Sequence, residues 1–203
     1  MNHLWWYLAR SSGLVAWFLL MASLGLGIVA SGRLAQRPRL RRWVLDLHPW
    51  ISGIALGAVG LHVAAIVADS FVEITPEQAL VPFASPWREA AVAWGAIGAW
   101  LLVLVQLTSL LRRRLPRRLW RSIHLTSYVL AGLVTVHALT AGTDAARRPL
   151  RVVIGLVTAL VVALTVRRAF GPTRPPRTTR PGLPSGAADN GTRAVATPRP
   201  VAG

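Results

Sequence analysis

Residues 43–68 read WVLDLHPWISGIALGAVGLHVAAIVA and residues 119–141 read LWRSIHLTSYVLAGLVTVHALTA. Each is a run of apolar and small residues of about the 20-residue length that crosses the hydrocarbon core of a bilayer. A soluble helix would break such a run with polar positions on every turn. Each run carries two histidines, His48 and His62 in the first, His124 and His137 in the second. Three further runs have the same character, from Ser11 to Ala30, from Ala90 to Leu111 and, the shortest, from Val152 to Val166. Apolar residues make up 53% of the 203 and cluster in these runs. The sequence thus predicts an all-α integral membrane protein, a bundle of about five transmembrane helices.

The charges between the runs orient them. The net charge is +16 and every basic residue is arginine. Arg33, Arg37, Arg39, Arg41 and Arg42 fill the first loop, Arg112, Arg113, Arg114, Arg117, Arg118 and Arg121 the third, and Arg167 and Arg168 come after the fifth run. The second loop is acidic, with Asp69, Glu73, Glu77 and Glu89 against Arg88. Arginine placed in short loops beside apolar spans is the signature of membrane topology rather than of a nucleic-acid face. The positive-inside rule puts the arginine-rich loops and the C-terminus in the cytoplasm and the N-terminus outside. Arg147, Arg148 and Arg151, beside Asp144, are the one discord. The five arginines after the first run oppose translocation of the next segment of chain, so the first run reads as a retained helix and not as a signal peptide. The absence of cysteine excludes disulfides, iron–sulfur clusters, thiolate-bound zinc and cysteine-linked haem.

Two stretches lie outside the spans. Thr75-Pro76-Glu77-Gln78 predicts a short helix on the outer surface, with a hydroxyl cap, proline at the first helical position and Gln78 placed to close a capping box. After Phe170 the chain turns to Pro, Arg, Thr, Gly and Ala, a composition that buries too little to fold. The expected division is a membrane domain over residues 1–168 and a disordered basic tail over 169–203.

The histidines carry the chemistry. His3 is terminal and expected to be exposed, whereas the other four sit within two spans, where polar side chains are rare and usually functional. At ~1.5 Å per residue, His48 lies roughly 9 Å from Arg42 and His124 roughly 9 Å from Arg118. His62 lies about 10 Å from Asp69, and His137 about 10 Å from Asp144. Both spans run in one direction, so His48 and His124 share an inner level and His62 and His137 an outer one, about 20 Å away. Two imidazoles at one depth can hold one haem iron from opposite sides, and two levels make two stacked b-type haems. Zinc would want three or four ligands clustered at one level. Gly53, Gly57, Gly60 and Gly132 offer either room for a flat macrocycle or close helix packing. Fourteen residues from His48 to His62 return to nearly the same helix face; the thirteen from His124 to His137 do not, which calls for different rotamers or a local distortion, for which a π-bulge would serve. Pro49 is expected to sit inside the helix as a kink. Arg42 and Arg121 are placed as membrane anchors or propionate partners, Trp5, Trp6, Trp50, Trp87 and Trp120 as interface anchors, and Tyr128 as an ordinary helix contact or, alternatively, a residue that packs on or hydrogen-bonds a haem.

The spacing His48-x13-His62 and His124-x12-His137 on parallel spans resembles the ferric-reductase-like transmembrane domain, a superfamily that includes ferric reductases, NADPH oxidases and the haem subunit of a bacterial methionine sulfoxide reductase. Leu119-Trp120-Arg121, His124, Tyr128, the segment from His137 to Asp144, Pro82-Phe83-Ala84-Ser85 and Arg10-Ser11-Ser12-Gly13 add to it. The resemblance implies that His48 and His124 hold an inner haem and His62 and His137 an outer one, with no catalytic residue in the usual sense, in a bacterial cell membrane. Two departures stand out: five spans where family members often have six, and no glycine-rich dinucleotide turn. The expected role is one-electron transfer through two b-type haems, from a separate flavoprotein or quinol donor to an extracytoplasmic acceptor, with no nucleic-acid partner. The chain would serve as a reductase component, as an electron-delivery subunit for a separate outer enzyme or, without haem, as a structural membrane protein.

Overall fold

The computed structural model describes residues 3–31, 37–70, 74–142 and 147–170. Their regular elements are all helices: α1 (Leu4–Ser31), α2 (Pro38–Ala68), α3 (Pro76–Leu80), α4 (Glu89–Leu110), α5 (Arg117–Leu125), α6 (Ser127–Thr140) and α7 (Arg148–Phe170). With α5 and α6 taken as one span, five are long and apolar enough to cross a membrane. The shortest expected run is a helix of 23 residues once its arginine-bearing ends are included. Arg33, Glu73, Asp144 and the tail fall outside the described residues.

Local chemistry explains the helix ends. Pro38 opens α2 where a missing N–H costs nothing. Thr75 caps α3 as expected: its hydroxyl accepts from the Gln78 N–H, and its own N–H donates to Gln78 Oε1, both at 3.2 Å. Helix α2 continues through Pro49, so Pro49 sits within the helix rather than at its start.

The α5–α6 junction corrects the expected π-bulge. The Thr126 N–H donates to the Ile123 carbonyl at 3.0 Å, three residues back, and the Thr126 hydroxyl caps the same carbonyl at 2.6 Å. This is a tightened turn, not a widened one. Thirteen residues at about 100° each fall short of four full turns. Local winding toward three residues per turn advances α6 in the needed sense, whereas an inserted residue would set it further back.

Helix α1 runs through the middle of the packing. It lies along α2 and touches α6 and α7, while α4 lies along α6 and α5. Trp17, Met21 and Ile28 of α1 form the buried core with Ile154 and Val161 of α7. The Trp17 indole N–H donates to Thr135 Oγ1 at 3.1 Å, tying α1 to α6. Between membrane helices, lipid supplies no hydrophobic drive, so close packing and such polar links hold the bundle. The outward side chains are large and apolar, with Trp50, Leu110 and Phe170 at 73%, 80% and 84% exposure. That surface suits lipid and would be a liability in water. The protein is therefore a multi-pass membrane protein.

The acidic loop is pinned to the helices beneath it. Trp100 Nε1 donates to the Leu80 carbonyl at 2.9 Å, and Arg88 Nη1 to the Thr140 carbonyl at 2.6 Å. Arg88 caps α4 with φ of 43°, in the left-handed region that non-glycine residues avoid.

Candidate functional site

The fold brings the four span histidines together as two pairs and leaves His3 exposed at the start of the chain. His48 of α2 faces His124 of α5, with ring centres 6.0 Å apart and planes at 73°. His62 of α2 faces His137 of α6, with ring centres 6.2 Å apart and planes at 81°. The first pair lies on the side of the arginine-rich loops, the second on the side of the acidic loop.

Each ring is seated against a helix that carries no ligand candidate. His62 Nδ1 donates to the Ala9 carbonyl at 2.6 Å. His137 Nδ1 donates to the Ala91 carbonyl at 2.8 Å. His48 Nδ1 lies 3.0 Å from the Ser23 carbonyl and 3.1 Å from the Ser23 hydroxyl, which continues to Ser52 at 2.6 Å. In these three cases the residue four positions after the accepting carbonyl is glycine: Gly13, Gly95 and Gly27. The spacing comes from the helix, because a side chain at that position would stand over the carbonyl one turn back. A Cβ on Gly13 would come within 2.8 Å of the His62 ring, and one on Gly95 within 2.6 Å of the His137 ring. At Gly27 the nearest His48 atom would be 3.6 Å away, an ordinary contact. The fourth seat differs: His124 Nδ1 has the Ser109 hydroxyl at 3.4 Å, and its ring stacks on Trp120 at 5.1 Å.

These seats fix what the rings can do. A neutral imidazole whose Nδ1–H is given to a carbonyl presents Nε2 as its lone-pair nitrogen. A histidine that binds metal typically spends its other nitrogen in this way. Two such rings on opposite sides of one iron, each nitrogen about 2 Å from the metal and each ring centre about 1 Å further back, would have centres about 6 Å apart. Both observed separations match that figure. Among the described residues no three His, Cys, Asp or Glu side chains gather as a metal cluster; two axial ligands are all that an iron held by a macrocycle asks of the protein. Among the described residues, a Cβ on Gly53, Gly57, Gly60 or Gly132 would meet nothing within 4 Å. These glycines therefore border open space among the described residues, and no helix of this chain packs there against Gly53 or Gly57.

Residues 12–135, more than half of the chain, match the family described as ferric reductase like transmembrane component. The chain belongs to this family. Members of the ferric-reductase-like family typically bind haem, and the family identifies the chain as a transmembrane oxidoreductase-like module. The matched stretch contains His48, His62 and His124 and ends two residues before His137. No curated protein and no solved structure matches the chain.

Sequence reasoning missed the seats. Gly13 and Gly27 are fourteen residues apart, as are Gly95 and Ser109, repeating the interval between His48 and His62. That echo was the available signal, in spans that carry no histidine. Tyr128 is a helix contact, its hydroxyl accepting from Arg168 Nη1 at 3.2 Å. The Trp120 ring is half-buried and stacks on His124. Arg42 and Arg121 are exposed.

Proposed function

We propose that the protein carries electrons across a membrane through two b-type haems, one held by His48 and His124 and the other by His62 and His137. The observation that carries this reading is the pair of ring separations near 6 Å, one between α2 and α5 and the other, at a second depth, between α2 and α6. Bound haem supplies one-electron chemistry between the ferric and ferrous states of its iron. The protein's part is to hold both irons at fixed depth. Histidines fourteen residues apart on α2 set the levels about 20 Å apart. Were each haem held by two of these histidines, both ligands would come from the protein, and an acceptor would be reduced at the macrocycle edge.

The arginine-rich loops favour an arrangement with the His48 level toward the cytoplasm of a bacterial cell and the N-terminus outside. A donor, flavoprotein or quinol, would then meet the His48 level and an extracytoplasmic acceptor the His62 level. The membrane domain would occupy residues 1–168, with 169–203 as a separate basic tail. The acceptor class divides the reductase reading from the electron-delivery reading. Transfer to ferric chelates by the purified protein would favour the first, and transfer only to a separate exported oxidoreductase the second.

The test is the dithionite-reduced minus oxidised absorption spectrum with haem quantified per chain. Two low-spin b-type haems are expected. The nearly perpendicular ring planes further predict strongly anisotropic low-spin signals in the electron paramagnetic resonance of the oxidised protein. Protein purified without haem, after expression with ample haem supply, would overturn the proposal and leave a structural membrane bundle.

A further inference from the structure

Three of the four histidine seats are made by backbone carbonyls and one by a side chain. The carbonyls of Ala9, Ala91 and Ser23 lie 2.6, 2.8 and 3.0 Å from their Nδ1 partners. The Ser109 hydroxyl lies 3.4 Å from His124 Nδ1, long for a hydrogen bond to nitrogen. The difference begins in the sequence. Ser109 holds the position on α4 that glycine holds at the other three seats, so its side chain stands where the ring would otherwise approach a carbonyl one turn back. No hydrogen bond joins the His124 ring to a backbone carbonyl among the described residues, and Trp120 stacks on the ring instead. Among the described residues the Ser109 hydroxyl has no partner other than His124.

An acceptor on the Nδ1–H of a metal-bound imidazole pushes electron density toward the metal and strengthens the ligand. A peptide carbonyl at 2.6–3.0 Å does this more than a hydroxyl at 3.4 Å. A carbonyl seat also cannot be removed by changing a side chain, whereas the serine seat can. Resting on the two-haem reading above, we propose that Ser109 is a positioning residue for the arginine-side site: its hydroxyl accepts the Nδ1–H of His124 when His124 ligates iron, and it makes His124 the weakest electron donor of the four ligands. The iron between His48 and His124 is then the one whose potential a side chain tunes.

The test is a potentiometric titration of the haem-loaded protein carrying Ser109→Ala or Ser109→Thr, with haem content and optical spectrum recorded alongside. S109A removes the acceptor, so the ferric state at that level loses stabilisation. One of the two midpoint potentials is expected to rise while the other stays, with two haems per chain retained. S109T keeps the hydroxyl and is expected to titrate like the parent. Two unchanged potentials in S109A would overturn the proposal, as would equal shifts in S109A and S109T, which would mean packing alone. Should the serine variants fail to accumulate, electron paramagnetic resonance of the unsubstituted protein reads the same inequality. One low-spin signal, the one lost on His124→Ala, is expected to show the weaker axial ligand field, and two signals of equal field strength would overturn the proposal. A parent protein without haem would refute the two-haem reading itself, whereas a loaded parent with an unresponsive S109A would refute only the role of Ser109.

Discussion

Gly95→Ala is expected to leave the chain with one haem instead of two. A Cβ at this position would lie 2.6 Å from His137 Cε1, 2.7 Å from Nδ1 and 3.1 Å from Nε2. All three atoms belong to a flat ring that cannot fold out of the way. The ring is also tied, through Nδ1, to the Ala91 carbonyl one turn earlier on the same helix. To admit the methyl group, either that hydrogen bond opens and His137 swings, or α4 and α6 separate. Overpacking of this kind typically costs about 1–3 kcal/mol, which a five-span bundle can absorb. A displaced axial nitrogen is less forgiving, because ligation needs the imidazole within a few tenths of an ångström of its place. Gly13→Ala should act alike on His62, where the Cβ would come within 2.8 Å of the ring. Gly27→Ala is the control. Its Cβ would sit 3.6 Å from His48, and two haems per chain should remain. The measurement is haem per chain at matched protein yield, together with the loss of one low-spin signal. Full haem content in both Gly13→Ala and Gly95→Ala would show that the seats do not position the ligands.

Single substitutions of the four histidines should sort by level rather than by helix. His62→Ala and His137→Ala are each expected to remove the same haem, because an iron that loses either axial ligand is held by a single imidazole. The double variant should lose no more than either single. His48→Ala and His124→Ala should behave in the same way at the other level. Combining one substitution from each level should abolish haem altogether. This is the non-additivity expected of residues acting as one unit, set against the additivity of separate sites. The two levels are about 20 Å apart along α2, far enough to be independent. Reduced-minus-oxidised spectra of the single and double variants, with haem quantified per chain, decide the matter. Loss that tracked the helix, with His48 and His62 behaving as one unit, would break the pairing assignment.

Much of this was legible in the chain because the membrane simplifies the code. With no water in the hydrocarbon core, the backbone must satisfy itself within each span. Apolar runs of the right length therefore translate directly into helices. The depth of each histidine also came from counting, since the rise per residue is constant. The pairing of His48 with His124 and of His62 with His137 needed only that counting and the direction of the spans. The thirteen-residue interval showed that different rotamers or a distortion were required, but the sense of the distortion was misjudged. Thr126, whose hydroxyl caps the Ile123 carbonyl, belongs to a residue type that competes locally with the helical backbone, and was the clue to a tightened turn.

By itself, then, the sequence determined the class of protein, its spans and the depths of the four histidines within them, because length, hydropathy and helical rise act residue by residue along one axis. Tertiary structure alone decided what stands behind each ring. The carbonyls of Ala9, Ser23 and Ala91 and the hydroxyl of Ser109 come from helices α1 and α4, which hold no histidine of the two pairs, and they reach the rings only through lateral packing. A backbone carbonyl leaves no mark of its own in an amino-acid sequence; its trace here is the small residue four positions later, which shows its purpose only once the neighbouring helix is in place.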